Sequence, residues 1–274
     1  MNGPALFNGG AVPDLSGHRG LNYGDGVFRT CLIYDSHIID MKEQIDLVQE
    51  DAARLGLAPA PMAALAREAA SLAAGQSRGV LKIMLMRAGA GRGYRDGGGA
   101  TDRLLRRYPA PACRGEAWDS GVSAFRSEFR LAAQPALAGI KHLNRLEQVL
   151  ASRDWLEGAD EALLADDAGR PLCGTRTNLF WVGAGVLQTP ALERCGVAGL
   201  MRRKVLALAA ASGLQCRVGA GSWDELEAAD EAFLTNSLVG IWPLARLDAR
   251  RWDAPGPVTR RLMERLAHPR WAAA

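Results

Sequence analysis

Gly139-Ile-Lys-His-Leu-Asn-Arg-Leu-Glu-Gln-Val-Leu-Ala151 is the stretch of this chain that says most about its fold. Apolar residues recur at helical spacing after Lys141, which predicts an amphipathic helix that begins there and runs to about Trp155. The chain has only four lysines among its 33 Lys and Arg residues. A desolvated lysine can lose its proton and attack a carbonyl, whereas a guanidinium stays protonated. Lys141 is therefore either a candidate nucleophile or an ordinary solvated lysine at a helix start.

The composition describes a globular protein and excludes several classes of partner. With 274 residues, 48% hydrophobic and 23% charged, the chain suits one large domain or two ordinary ones. The net charge is only +3 and the basic residues are scattered, so neither nucleic acid nor a membrane surface is an expected partner. The start of the chain lacks the blocks of a signal peptide, and no apolar run is long enough to span a membrane. These features predict a cytoplasmic protein.

Cysteine and histidine usage predicts neither disulfides nor a metal centre. The five cysteines are odd in number and form no CxxC pair, and the four histidines are dispersed along the chain. We therefore expect no metal ion.

The order of predicted elements indicates mixed α and β structure in two lobes. Prolines and small residues at 110–117 predict a linker between a small N-terminal lobe, 1–109, and a C-terminal lobe, 118–274, that carries Lys141. In the first lobe the patterns predict strands at 27–34, 37–39 and 80–87 and helices at 40–56 and 61–74. In the second they predict strands at 122–125, 162–166, 178–182, 214–218 and 231–235 and helices at 200–212 and 258–266.

Four further segments are candidate ligand sites, and each also has an ordinary structural explanation. Leu21-Asn-Tyr-Gly-Asp-Gly-Val-Phe28 has two glycines around an acid, which is typical of a turn before a strand. Gly91-Arg-Gly-Tyr94 presents a guanidinium suited to a carboxylate, or is a surface loop without a role. Gly196-Val-Ala-Gly-Leu-Met-Arg202 opens a helix whose free amides and dipole suit a phosphate, although many helices begin so without a ligand. Thr235-Asn-Ser237 offers hydroxyls that can donate hydrogen bonds to the same anion, or it is only a polar strand end.

Taken together and in this order, these segments resemble the fold-type IV pyridoxal-phosphate enzymes of the class IV aminotransferase family, most closely their 4-amino-4-deoxychorismate lyase branch. The resemblance runs almost end to end. The matching segments are 23–28, 91–94, 138–150, 159–163, 178–181, 196–202 and 229–231. The run Lys-His-Leu-Asn-Arg-Leu-Glu at 141–147 is specific to the lyase branch, and the others are shared with branched-chain and D-amino-acid aminotransferases. The resemblance implies an α+β homodimer, each chain having a small α/β lobe and a larger lobe with a barrel-like sheet.

The resemblance also implies a chemistry and a set of site residues. Lys141 would form an aldimine with pyridoxal 5'-phosphate and then take the proton from the amine-bearing ring carbon of 4-amino-4-deoxychorismate, with the cofactor as electron sink. The products would be pyruvate and 4-aminobenzoate, a folate precursor. The cofactor phosphate would be held by the amides of Leu200 and Met201 and the hydroxyl of Ser237. Further implied cofactor contacts are Cys173 and Asn178, and implied substrate contacts are Arg92, Tyr94 and Asn144.

The chain departs from the family pattern at three positions. Cys173 stands where the family has a glutamate that pairs with the pyridine nitrogen. A thiol of pKa about 8.5 is mostly neutral at pH 7 and cannot supply the roughly 4 kcal/mol of a unit charge at ~4 Å in a dielectric of about 20. Leu47 replaces a phosphate-binding arginine, a loss of roughly 1.5–3 kcal/mol that the nearby Lys42 is a candidate to offset. His18 replaces an aspartate that precedes Arg19.

These departures leave three functions open. The first is a working lyase, because aromatisation drives the elimination and asks little of the electron sink. The second is a repurposed or cofactor-free relative that acts on or binds a chorismate-like ligand, with Lys141 as a bare amine base. The third is a class IV amino-acid aminotransferase, whose two half-reactions need a stronger sink than a neutral Cys173 supports.

Overall fold

A computed structural model describes residues 3–89, 92–95, 99–112 and 115–270 of the chain. These residues form two compact units. The first consists of the described residues up to Pro111 together with Ile140–Asn144, and the second of those in Ala112–Gly139 and from Arg145 onward. Positions 113 and 114 of the predicted linker and Gly91 of the predicted loop motif lie outside the described residues. The predicted lobe boundaries at 109 and 118 stay a prediction.

The first unit is built on a five-stranded sheet with the strand order β1-β5-β4-β2-β3. Its strands are β1 (Ala5–Phe7), β2 (Gly26–Tyr34), β3 (His37–Ile38), β4 (Arg78–Arg87) and β5 (Thr101–Tyr108). All its pairings are antiparallel. The turn at Asp35 and Ser36, both with positive φ, joins β2 to β3, as the sequence predicts.

Three helices belong to the same unit, namely α1 (Arg19–Tyr23), α2 (Met41–Arg54) and α3 (Met62–Ala73). The helix predicted at 40–56 is confirmed as α2, and its residues Ile45, Val48 and Ala52 are buried in one apolar cluster with sheet residues such as Val27 and Leu81. A single apolar face at helical spacing gives the helix one side that it must bury, and the sheet provides the partner surface.

The predicted helix at Lys141 is wrong in its start and its end, because helix α4 spans only Leu146–Ala151. Lys141 lies instead in an extended segment that runs beside β2. The Phe28 N–H donates to the Lys141 carbonyl and the Leu143 N–H donates to the Gly26 carbonyl, both at 2.9 Å. Pairing with the sheet uses the backbone groups that a helix would need, so tertiary contacts override the local helical pattern. This pairing also includes Lys141 in the first unit, where the sequence had suggested the C-terminal lobe.

The second unit contains a closed six-stranded barrel. Its strands pair in the order β9-β12-β13-β6-β7-β8, and β8 returns to β9. They are β6 (Val122–Arg130), β7 (Glu161–Ala165), β8 (Pro171–Gly174), β9 (Asn178–Gly183), β12 (Glu231–Asn236) and β13 (Gly240–Leu247). Closure leaves the barrel strands without the unpaired edges of an open sheet. The stacked rings of Phe180 and Phe233, whose centroids lie 5.0 Å apart, are part of its buried interior.

The remaining elements extend or cover this barrel. Strands β10 (Val186–Pro190) and β11 (Cys216–Gly219) continue the sheet from β9, and β14 (Arg250–Arg251) pairs with β13. The helices are α5 (Leu200–Ala211), α6 (Trp223–Glu227), α7 (Pro257–Leu266) and a 3-10 turn at Gly115–Trp118. Within the described ranges, no helix has the length and apolar character needed to cross a membrane.

Candidate active site

Both backbone polar groups of Lys141 are held by hydrogen bonds within the first unit. Its carbonyl accepts from the Phe28 N–H of β2 at 2.9 Å, and its N–H donates to Asp51 Oδ2 of α2 at 3.0 Å. The side chain is partly exposed, and its Nζ lies 4.6 Å from the centroid of the Phe28 ring. The chain thus presents a primary amine on a fixed backbone, which suits an amine that must meet a carbonyl carbon in one orientation.

Lys82 is a second amine at the same ring, and sequence analysis missed it. Its Nζ also lies 4.6 Å from the Phe28 centroid, so the two amines share one aromatic neighbour. Burial lowers the pKa of Lys82 below its ordinary value. The available signal was the rarity of lysine in this chain together with its position between apolar residues of β4, where a lysine is seldom retained without a partner or a task.

The Tyr23-Gly-Asp-Gly segment organises the surroundings of this lysine pair. The Asp25 carboxylate accepts from Arg19 Nε at 2.9 Å and from Arg87 Nε at 3.1 Å. The Gly24 carbonyl accepts from Asn144 Nδ2 at 3.2 Å, and a Cβ at Gly24 would collide with the Asn144 side chain. Asn144 therefore joins the turn to the Lys141 segment, while its predicted contact with substrate stays a prediction.

The loop that carries Arg92 and Tyr94 is fixed by hydrogen bonds of its backbone, and the Tyr94 ring lies 5.4 Å from the Tyr23 ring. Arg19 donates to the carbonyls of Gly93 and Tyr94 at 3.0 and 3.3 Å, and the Gly93 N–H donates to the Tyr23 hydroxyl at 3.0 Å. The side chains of Arg92 and Tyr94 are exposed. An anchored backbone with exposed side chains leaves both residues available to a ligand, and their role as substrate contacts stays a prediction.

His18 caps the start of helix α1. Its Nδ1 accepts the Gly20 N–H at 2.9 Å and so caps the start of α1, while its Nε2 lies 3.1 Å from Asp102 Oδ2. A carboxylate is a common helix cap, and an imidazole nitrogen supplies the same acceptor here. His18 therefore has a structural role at the start of α1 in this chain.

In the second unit, two hydrogen bonds of the Asn178 side chain hold the backbone at the start of α5. Asn178 of β9 donates through Nδ2 to the Val197 carbonyl at 2.8 Å and accepts the Gly199 N–H through Oδ1 at 3.1 Å. Gly199 is the N-cap residue, so the amides of Leu200 and Met201 follow as the first two of the helix. These early amides have no partner within the helix and carry the positive end of its dipole. The geometry of this segment is that of an anion site.

Two features of β12 add to this segment. Thr235 pairs with Asn178 in the sheet, is 1% exposed, and its Oγ1 has no hydrogen-bond partner among the described residues. At the next residue, Asn236 Oδ1 accepts hydrogen bonds from the amides of Leu238 and Val239 at 2.8 and 3.0 Å, which shapes the turn that contains Ser237. A buried hydroxyl without a partner is unfavourable unless something else bonds to it. The donors present fit a phosphate group, and the Ser237 contact stays a prediction.

Cys173 pairs with Asn178 across the β8–β9 closure of the barrel and is buried. Burial and the nearby Glu161 carboxylate raise the pKa of the Cys173 thiol to about 12. The thiol is therefore neutral at physiological pH, as the sequence predicts. A pyridine nitrogen placed beside it would receive no charge from this side chain.

Glu161 and Arg176 brace the turn between β8 and β9. The fully buried Glu161 carboxylate accepts from the hydroxyls of Thr175 and Thr177 at 2.6 and 2.9 Å. Arg176 donates to the Asp160 carbonyl at 2.7 Å and lies over the rings of Trp155 and Trp242. The sequence predicts no role for Arg176, and the structure shows that its contacts hold this turn in place.

Neither Leu47 nor Lys42 supplies a cation for a phosphate. Leu47 is 2% exposed on the inner face of α2. The Lys42 side chain is 84% exposed and binds Asp46 one helical turn away at 2.6 Å. Replacement of the family arginine by Lys42 is therefore not supported.

Comparison with known proteins places the chain in a family. The model of the class IV amino-transferases matches residues 26–247, and the chain belongs to this family. It is 34% identical to an aminodeoxychorismate lyase of Vibrio harveyi over 91% of this chain and 94% of that protein. The crystal structure of a 4-amino-4-deoxychorismate lyase from Pseudomonas aeruginosa superposes with a TM-score of 0.90 at 39% identity, covering 96% of this chain and 98% of that one.

The fold-type IV architecture is thereby confirmed. A more distant structure shares the fold alone: a branched-chain amino acid aminotransferase from T.th., solved with pyridoxamine 5'-phosphate, has a TM-score of 0.80 at 24% identity and covers 97% of this chain and 93% of that one. Pyridoxal phosphate is the cofactor of the family. The amine of Lys141 and the anion site at α5 are both groups that such a cofactor requires, whereas Cys173 and Leu47 do not contribute charge to it.

Gly199→Ala tests the anion site directly. A Cβ at this position would collide with Asn178 Oδ1 and displace the carbonyl and amide that Asn178 organises. We expect affinity for pyridoxal phosphate to fall about 10-fold, since one or two hydrogen bonds to a charged group are lost. Equilibrium titration of the protein with the cofactor measures this change. Gly219→Ala, where an added Cβ meets nothing within 4 Å, is the matched control and should bind as the wild type does.

Proposed function

We propose that the chain is a pyridoxal-phosphate-dependent carbon-oxygen lyase that converts 4-amino-4-deoxychorismate to 4-aminobenzoate and pyruvate. The observation that carries this proposal is the Lys141 amine on a backbone fixed at both its N–H and its carbonyl. The similarity to lyases over more than nine-tenths of the chain supports the choice of substrate.

The residues of the chain divide the tasks of this reaction. Lys141 would hold the cofactor through its amine and would move the proton at the substrate ring carbon that bears the substrate amine. The amides of Leu200 and Met201 and the hydroxyl of Ser237 bind the phosphate, with Asn178 ordering the backbone between 197 and 199. The bound cofactor supplies an electron sink for the carbanion that proton removal generates. Arg92, Tyr94 and Asn144 are proposed to contact the substrate.

The neutral Cys173 favours elimination over transamination. With its pKa raised to about 12, the thiol cannot hold a proton on a pyridine nitrogen by charge. Transamination would call on the electron sink in both of its half-reactions, whereas loss of the enolpyruvyl group would be driven by formation of an aromatic ring. The lyase reaction therefore tolerates a weaker electron sink than transamination does. This tolerance favours the lyase over the aminotransferase alternative.

A product assay tests the proposal. Purified protein saturated with pyridoxal phosphate should release pyruvate and 4-aminobenzoate in equal amounts from 4-amino-4-deoxychorismate, with no keto acid added. Activity that appears only with a keto-acid acceptor would replace the lyase with an aminotransferase.

A second candidate is a relative that binds or acts on a chorismate-like ligand without the cofactor. Its support is that Cys173 is neutral and Leu47 is buried, so two usual cofactor contacts carry no charge. This candidate predicts a protein that stays colourless in excess pyridoxal phosphate and is stabilised by the ligand alone.

Lys82 is proposed to bind a carboxylate of the substrate. The Lys82 amine and the Lys141 amine both lie at the Phe28 ring. Burial disfavours the protonated form of Lys82, and a bound anionic ligand would favour it again. We expect Lys82→Met to raise KM about 10-fold to 100-fold, the worth of a charged hydrogen bond, with little change in cofactor affinity. Steady-state kinetics and cofactor titration separate the two effects. Lys42→Met, at an exposed site, is the control, and a fall in kcat at constant KM would contradict the assignment.

We further propose a cytoplasmic homodimer that makes 4-aminobenzoate for folate synthesis. In support of a dimer, Leu146 and Val149 are one turn apart on α4 and are 67% and 56% exposed. In support of a reducing compartment, Cys31, Cys173, Cys195 and Cys216 are free thiols.

A further inference from the structure

A buried ion pair lies next to the backbone of Lys141. Arg29 of β2 bonds through Nη2 to Asp51 Oδ2 of α2, and the two side chains are 3% and 5% exposed. The same Nη2 lies 3.4 Å from the Leu47 carbonyl, which ties the guanidinium to α2. The Oδ2 atom that receives the guanidinium also accepts the Lys141 N–H at 3.0 Å. One carboxylate oxygen therefore connects the sheet, the helix and the residue that carries the amine.

Stability of the fold does not explain this arrangement. Burial raises the pKa of Asp51 above its ordinary value, against the opposing influence of Arg29 and of the Lys141 N–H. A buried ion pair generally stabilises a fold no more than apolar residues of the same size. Both elements contribute residues to a buried apolar cluster, among them Val48 on α2 and Val27 on β2. An apolar pair would pack at this place, but it would leave the Lys141 N–H without this acceptor.

We propose that Asp51 is a positioning residue for Lys141, acting through the hydrogen bond that its carboxylate accepts from the Lys141 amide. This inference rests on the proposed function, in which Lys141 carries the reacting amine. The Phe28 N–H fixes the peptide plane after Lys141, and Asp51 fixes the plane before it. With both planes fixed, the direction in which the side chain leaves the backbone is set. Asp51 acts through the backbone and does not touch the amine.

Two double variants separate the hydrogen bond from the charge. Arg29→Met with Asp51→Asn removes the ion pair but keeps an oxygen acceptor for the Lys141 N–H. Arg29→Met with Asp51→Leu removes the same charges with a side chain of nearly the same shape, and no acceptor remains. The full-length proteins are mixed with pyridoxal phosphate, quenched with borohydride at increasing times, and the Lys141 peptide is quantified by mass spectrometry. Thermal melting is measured on the same samples.

The Asn double variant should capture the cofactor on Lys141 within about twofold of the wild-type rate, and the Leu double variant at least tenfold more slowly. A merely structural role would change melting temperatures and leave the two capture rates alike. Equal rates in the two variants, at whatever stability, overturn the proposal. Wild-type protein that captures no cofactor at all is a different result, because it removes the proposed function itself.

Hydrogen exchange at the Lys141 amide provides a second measurement. It does not require the double variant with Asp51→Leu to fold. The amide should exchange at least tenfold more slowly in the wild type than in a protein with Asp51→Ala. Free exchange of this amide in the folded wild type overturns the proposal.

Discussion

Replacement of Lys141 by alanine is expected to abolish covalent capture of pyridoxal phosphate and to lower lyase turnover by about 100-fold to 10,000-fold, the range of a lost general acid-base group. The amine is proposed to do both tasks, and the backbone of its segment is held to β2 and α2 by hydrogen bonds. The visible absorbance of the cofactor-loaded protein and the release of pyruvate measure the two losses separately.

Lys42→Ala is the matched control for this experiment. Lys42 is highly exposed, binds only its helix neighbour Asp46 among the described contacts, and lies outside the candidate site. It should leave both readouts within about twofold of the wild type. Full turnover in Lys141→Ala would show that the reacting base lies elsewhere, and the neighbouring Lys82 would then be the first residue to test.

The sequence predicts elements well where one apolar face decides the structure. Helices α2, α3, α5 and α7 match their predicted ranges within about two residues. Strand β5 is missed because Arg103 stands at an inward position, where the buried Glu68 carboxylate neutralises it at 2.6 Å. A local pattern shows a charge at that position but not the partner 35 residues away, so the alternation of the strand is hidden.

The Lys141 segment shows the opposite limit. Its apolar spacing is helical, yet β2 takes up its backbone groups before the helix begins at Leu146. Residue types identify Lys141, Asn178 and the α5 start as candidate site residues. The structure adds the hydrogen bonds that fix the backbone of Lys141 and the backbone at the α5 start. Arg29, Asp51 and Lys82 carry no motif, since their importance arises only from the approach of β2, α2 and β4 to one lysine. Contacts between separate elements of this kind cannot be predicted from the residue spacing within one segment.

Cys173→Glu should have the second-largest effect of the proposed substitutions. It should lower the stability of the protein without cofactor, and bound cofactor should offset that loss. Position 173 is buried beside the Glu161 carboxylate, which already raises the pKa of the thiol. In the protein without cofactor, a second buried carboxylate should lower the free energy of unfolding by about 3–5 kcal/mol, the cost of an uncompensated buried charge. A protonated pyridine nitrogen next to this carboxylate would offset that cost by roughly 4 kcal/mol at ~4 Å in a dielectric of about 20.

Cys173→Gln isolates the charge, because glutamine has the length of glutamate and stays neutral. We expect saturating pyridoxal phosphate to raise the melting temperature of the Glu variant more than that of the Gln variant, and turnover to rise only in the former. Equal cofactor-induced shifts in the two variants would mean that no pyridine nitrogen meets position 173. The lyase would then work without a partner for that nitrogen, and the barrel closure at β8 would serve the fold alone.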